Sequence, residues 1–213
     1  MKKIIHKYQN EYENSNGCFW DRSPAKYVSL FAELLEINLT NLSILDLGAG
    51  EGKNSVFLAN LNANVIAVDT SKTALSRFAM QPSYDKCKNR ITIINEDIRN
   101  VSFGNGHFDV VVAYGILHCL DSKQEILSMI ENIGKWLKNG GFFICATFTN
   151  KIPAPVIQSY LDENAFLDEG ELENNLSSFL IIKSENSIIT ETHPTSKLEH
   201  NHSIVRIIAQ KNV

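Results

Sequence analysis

Between Leu42 and Phe148 the chain alternates short apolar runs with stretches of helical spacing, an order that few folds accept. Leu42–Leu47, Asn64–Asp69, Ile91–Asn95, Phe108–Tyr114 and Phe142–Phe148 have the length and content of strands. KYVSLFAELLEI, after Ser23-Pro24, reads as a helix with Ser as N-cap and Pro in the first turn. Ser71–Met80 and Asp121–Lys138 read as two more. In the last of these, Ile126, Met129, Ile130, Ile133, Trp136 and Leu137 make one apolar face. Both Asp121-x-x-Gln124 and Ser122-x-x-Glu125 fit a capping box at its start, and Asn139-Gly140-Gly141 is expected to end it in a left-handed turn. The alternation predicts a mostly parallel sheet with helices on both faces, and the fifth run is apolar enough to be a central strand. Beyond Thr149 the chain turns polar, with Pro153, Pro155 and a short helical piece at EGELENNL. Two late strands, around Leu180–Thr192 and His202–Gln210, flank the turn-rich ETHPTSKLEHN and predict a hairpin. An antiparallel pair closing a parallel sheet is uncommon, and it narrows the fold most.

The 213 residues suffice for one domain with a modest insertion. The organisation expected is a single unit over 1–213, with an N-terminal lid segment at 1–23 and a substrate-side insertion at 150–177. With a net charge of -4, no basic face is offered to nucleic acid or anionic lipid. No apolar run reaches spanning length, and MKKIIHKYQNEYEN lacks the apolar centre of a signal peptide, so no membrane partner is expected. Cys18, Cys87, Cys119 and Cys145 are scattered, with no C-x-x-C; this suits a reducing compartment, most simply the cytoplasm.

ILDLGAGEGKNSVFLA, from Ile44 to Ala59, runs from strand through Gly48, Gly50 and Gly52 into helix. Such turns hold nucleotides. A P-loop is excluded, because Gly52-Lys53 is followed by Asn54 and the upstream spacing is wrong. A dinucleotide turn fits poorly, since the third glycine comes one residue early. Asp69 ends the second strand, 19 positions after Gly50, where a carboxylate meets the ribose of an adenine nucleoside. Asp46, inside the turn, would repel a pyrophosphate and suits an ammonium or sulfonium. Glu96-Asp97-Ile98 closes the third strand, where an acid can accept from an adenine amino group and Ile98 can cover the ring.

With LDLGAGEG, VIAVDTS, NEDI, FDVVVAYGILHCL and WLKNGGFFICATF in that order, the chain resembles the class I S-adenosylmethionine (SAM)-dependent methyltransferases. The resemblance implies a doubly wound α/β fold of Rossmann-like type, seven-stranded and mostly parallel with an antiparallel last strand. It implies SAM as cofactor, bound by Asp46, Gly48, Ala49, Gly50, Asn54, Asp69, Thr70, Asp97, Ile98 and Tyr114. FLDEGELENNL followed by HSIVRIIAQK is similar, over a shorter stretch, to small bacterial tellurite-resistance and thiopurine methyltransferases.

The reaction implied is in-line displacement at the methyl carbon, in which the protein aligns the acceptor and excludes water. Tyr114 and His118 are the catalytic candidates: Tyr114 beside the methyl donor, and His118 as a base, or alternatively as a ring fixed by backbone hydrogen bonds. Tyr12, Phe19, Trp20 and Arg22 lie in a segment without strong periodicity that could fold over the cofactor, with Arg22 at its carboxylate. Residues 150–177, Phe166 among them, form the opposing wall. His200-x-His202 would put two rings on one strand face, near His193, but no carboxylate or cysteine cluster completes a site, and no metal is expected. A small-molecule methyl acceptor is the leading partner. Nucleic acid is disfavoured, because AYGI after the fourth strand is not the (N/D/S)PP(Y/F) of amino-methylating DNA enzymes. The alternatives are a SAM-binding regulatory or assembly protein without methyl transfer, and a nicotinamide oxidoreductase, which Asp46 and the short glycine spacing oppose. Oligomeric state stays open, a homodimer included.

Overall fold

The structure, a computed structural model, describes residues 2–15, 21–34, 38–158, 161, 165–192 and 198–213. Among them β1 (Ser43–Leu47), β2 (Asn64–Asp69), β3 (Ile91–Asn95), β4 (Phe108–Tyr114), β5 (Leu137–Thr149), β6 (Phe179–Thr192) and β7 (Glu199–Lys211) form one sheet in the order β3-β2-β1-β4-β5-β7-β6. The first five are parallel to one another, and β7 lies antiparallel between β5 and β6. The doubly wound sheet with its closing hairpin is therefore present. The chain order reverses between β1 and β4, the place where such sheets open a crevice at their strand ends.

The helices are α1 (Lys2–Asn14), α2 (Lys26–Leu34), α3 (Lys53–Asn60), α4 (Lys72–Ala79), α5 (Pro82–Asp85), α6 (Lys123–Trp136) and α7 (Glu171–Asn174). Strand side chains alternate between two cores. Leu45, Leu47, Val111, Ala113, Phe143 and Cys145 face α6, whose Ile126, Met129, Ile130, Ile133 and Trp136 are all buried among them. Ile44, Val110, Val112 and Ile144 face α2, α3 and α4, where Tyr27, Phe31, Leu58 and Phe78 fill the space. That parity places Asp46 on the α3 side of β1. A third cluster, of Ala146, Phe148, Leu161, Phe166 and Ile204, lies at the ends of β5 and β7.

Two helix ends differ from the sequence expectation. α6 stops at Trp136, not at the glycines, because Leu137 is already extended (φ -70°, ψ 137°) and pairs with Phe108. Gly140, at φ 76°, instead marks the slip in register between the Phe108–Leu137 and Val110–Phe142 pairs. α2 begins at Lys26, and its first turn is closed by Asn54 Oδ1, which accepts from Ala25 N at 2.9 Å; Ser23 N is turned toward Asp21 Oδ1. Ser122 does cap α6: Glu125 N donates to Ser122 Oγ at 3.2 Å, while Glu125 Oε2 accepts from Asp121 N at 3.3 Å, one residue before the N-cap, rather than from Ser122 N as in a full box. The N-terminal segment, read as having no strong periodicity, contains α1. Tyr8 and Tyr12 stand one turn apart on it, with the buried polar Glu11 beside Tyr12.

Candidate active site

Gly48, Gly50 and Gly52 all have positive φ (70°, 56° and 80°), so the chain turns from β1 into α3 through left-handed backbone. At Gly50 the absent side chain also admits α1: a Cβ there would stand 2.8 Å from the Tyr12 hydroxyl. The turn uses its own amides. Gly48 N and Ala49 N donate to Val68 O at 2.9 and 3.0 Å, Gly52 N donates to Ala49 O at 2.9 Å, and Gly50 N donates to Asp69 Oδ2 at 2.8 Å. The other oxygen of Asp69 accepts from Ser71 N at 2.7 Å. Burial raises the pKa of Asp69, against the opposing pull of the Ser71, Gly50 and Thr70 amides.

α1 is strapped onto this turn by α4. Ser71 Oγ donates to Gln9 Oε1 at 2.7 Å, and Gln9 Nε2 to Thr73 Oγ1 at 3.0 Å. Arg77 donates to Tyr12 O at 2.5 Å, to Ser15 O at 2.8 Å and to Ser15 Oγ at 2.7 Å, and it meets Glu51 at 3.3 Å. A cavity of about 360 Å³ lies beneath α1. Tyr8, Gln9 and Tyr12 line it beside Gly48–Gly50 and Asp69–Ser71. Tyr114, Ile116, His118 and Cys119 continue it from the end of β4, and Phe148, Ile189, Glu191, Ile204 and Arg206 line it from β5, β6 and β7.

Of the residues expected at a site, Arg22, Gly48, Ala49, Gly50, Asn54, Asp69, Thr70, Tyr114 and His118 share this cavity. Trp20, with Phe19, lies outside the described residues. Asp46 does not reach the cavity. It is buried behind the turn, accepts from Ser55 Oγ at 2.6 Å, and burial pushes its pKa up to about 7. Asp97 and Ile98 stand at the β3 tip but do not line the cavity: Ile98 packs into the core on the α6 side, and Asp97 is held by Arg99 at 2.8 Å.

His118 departs from the part of a base. It is 4% exposed, stacks on Phe148 with centroids 3.9 Å apart, and takes the Phe148 N–H on Nδ1 at 3.4 Å. Burial depresses its pKa to about 3, with the nearby His202 adding to the effect. A neutral ring that accepts on Nδ1 carries its proton on Nε2, so it offers the cavity a donor rather than a proton acceptor. The backbone-bonded alternative is the one this geometry matches.

Residues 44–141 match the family model described as a methyltransferase domain. An uncharacterized methyltransferase of Synechocystis sp. is 32% identical over 114 residues, which cover 51% of this chain and 50% of that protein. The chain is similar to a methyltransferase domain over residues 44–141. It spans about half the length of that curated relative. Among solved structures, a Burkholderia thailandensis 1,6-didemethyltoxoflavin-N1-methyltransferase, with S-adenosylhomocysteine bound, superposes with a TM-score of 0.71 at 18% identity, over 100% of this chain and 88% of that one. TehB from Haemophilus influenzae gives 0.70 at 19%, over 87% and 61%. At these identities the structures speak for the fold alone.

The domain's cavity also contains residues the sequence reading passed over. Cys119 was expected as a small core residue, yet it lines the wall, its thiol pushed up to about 12 by burial. Arg206 and Glu191 come from the hairpin. Arg206 donates to Ser187 Oγ at 2.8 Å and meets Glu185 at 3.3 Å. Their only advance signal is strand parity, which fixes a face but not what the face meets.

Proposed function

We propose that the chain binds SAM in this cavity and transfers its methyl group to a small-molecule nucleophile. The observation that carries this reading is the fate of the turn's amides. Gly48, Ala49, Gly50 and Gly52 spend their N–H groups inside the protein, and the one on Gly50 is taken by a carboxylate. A pyrophosphate held at a helix N-terminus needs those donors and would meet Asp69 instead. A nucleoside with hydroxyl donors and a positive sulfonium suits the same wall.

In this reading Asp69 accepts from both ribose hydroxyls, Gly48 to Gly50 and Thr70 border the nucleoside, Arg22 meets the carboxylate, and Tyr114 stands near the methyl. Asp46 acts from behind, setting the turn through Ser55. The adenine extends past Thr70 to the β3 tip, where Asp97 and Ile98 stand. The wall formed by β5, β6 and β7 receives the acceptor. Its lone pair attacks the methyl carbon in line with the C–S bond, whose electrons return to sulfur. Four acids and three bases among the described wall residues leave no basic track for a nucleic acid strand, which favours a small acceptor. A cytoplasmic setting goes with this reading, since Cys87, Cys119 and Cys145 are free thiols.

The test is S-adenosylhomocysteine release. Small hydroxyl, thiol and amine acceptors are presented alongside RNA, DNA and protein. Release with members of the first set supports the reading. Release only with a macromolecule rejects the small-molecule acceptor, and SAM binding without release for any acceptor favours the regulatory alternative.

A further inference from the structure

We propose that Glu191, His200 and His202 bind one divalent first-row transition metal ion at the acceptor side of the cavity. Sequence reading expected no metal because no carboxylate stood near the histidines; the hairpin register supplies one. Glu191 lies directly opposite His200, and His202 is two residues further along the same face. Their ligand atoms all fall within 4.8 Å of one another. Glu191 Oε1 is 3.6 Å from His200 Nε2 and 3.5 Å from His202 Nε2. Those separations are long for hydrogen bonds but close to the edge of a tetrahedron, ~3.4 Å for ligands about 2.1 Å from a metal.

The surroundings orient both rings. His200 Nδ1 lies 2.9 Å from Leu198 O, which places the proton on Nδ1 and leaves Nε2 as the ring's acceptor, 3.6 Å from Glu191 Oε1. His202 stacks on Phe148 with centroids 3.9 Å apart and planes 6° from parallel, and the other imidazole on that ring is His118. The Gln158 amide is 2.9 Å from His200 Nε2, so an ion binds in exchange for that hydrogen bond. Two imidazoles and one carboxylate leave coordination positions open, as catalytic sites do, and Glu191 lines the cavity.

The acceptor role rests on the methyltransferase reading above, whereas the ion site does not. A small acceptor with a hydroxyl or thiol would bind the ion through that heteroatom and release its proton to water. Its lone pair would then take the methyl as the C–S bond breaks onto sulfur. This supplies the activation that His118 does not.

The test uses untagged, chelator-treated full chain. Co²⁺ is followed by visible absorption, Zn²⁺ by calorimetry, and Mg²⁺ serves as control. The proposal expects one Co²⁺ per chain with nitrogen and oxygen ligation, no thiolate charge-transfer band, and displacement by Zn²⁺ but not by Mg²⁺. Glu191→Gln and His200→Gln should each weaken binding at least about tenfold. No binding tighter than millimolar overturns it, as does a thiolate spectrum or parent-like affinity in both variants. SAM titrated into the same samples separates the two readings: SAM binding without metal removes only the ion site, and metal binding without SAM removes only the cofactor reading.

Discussion

Asp46 shows what a single buried carboxylate costs this fold. Its pKa is raised from 3.8 to about 7, with burial the leading cause and the Ser55 hydroxyl opposing. The folded state therefore keeps a proton that the unfolded chain releases near pH 4. Stability falls as pH climbs from the unfolded pKa to the folded one and is level above it. Asp46→Asn keeps an acceptor for Ser55 and removes that slope. Urea denaturation should show the variant gaining on the parent between pH 4 and 7, by on the order of a few kcal/mol at pH 8. An equal difference at both ends of the range would contradict the burial argument. His118 gives the complementary prediction. With its pKa near 3, His118 should add no limb to the turnover profile in the usual histidine range, so His118→Gln should leave the position of any limb at pH 6–7 unchanged, and a limb there lost in the variant would reinstate the ring as a base.

At the scale of elements, α1 depends on α4. Arg77 holds the end of α1 through two carbonyls and a hydroxyl, and the same guanidinium meets Glu51 in the glycine turn. Arg77→Ala should speed amide hydrogen exchange across α1 without altering exchange in β1 or β4, and should weaken SAM binding several-fold. Unchanged protection in α1 would mean the strap is not what holds it. This arrangement was hard to read because its contacts are polar and distant in sequence, Gln9 to Ser71 and Arg77 to Ser15. β1, β2, β3 and β4 were legible to within a residue; in β1 and β4 burial on both faces makes the apolar content nearly continuous. The end of α6 was not. A glycine pair signals a left-handed turn equally well after a helix or at a slip between strands, and only the pairing of Leu137 with Phe108 decides.

For the whole molecule, the hairpin read from its turn-rich stretch proved to be the antiparallel edge of the sheet, and it supplies Ile189, Glu191, Ile204 and Arg206 to the cavity wall. The glycine turn and Asp69 were legible because local backbone geometry demands those residues at that spacing. Glu191 and Arg206 were not, because strand parity says which face a residue takes and never what the face meets. No helix among the described residues is long and apolar enough to cross a membrane. The central claim is that the nucleoside wall is anionic and its turn amides are already spent. It is tested most directly by calorimetric titration of SAM and NAD into the parent and Asp69→Asn proteins. The account predicts that SAM binds the parent, that NAD does not, and that the substitution weakens SAM by about 10- to 100-fold, the range of a hydrogen bond to a charged group. NAD binding, or SAM bound equally by the folded variant, would contradict it.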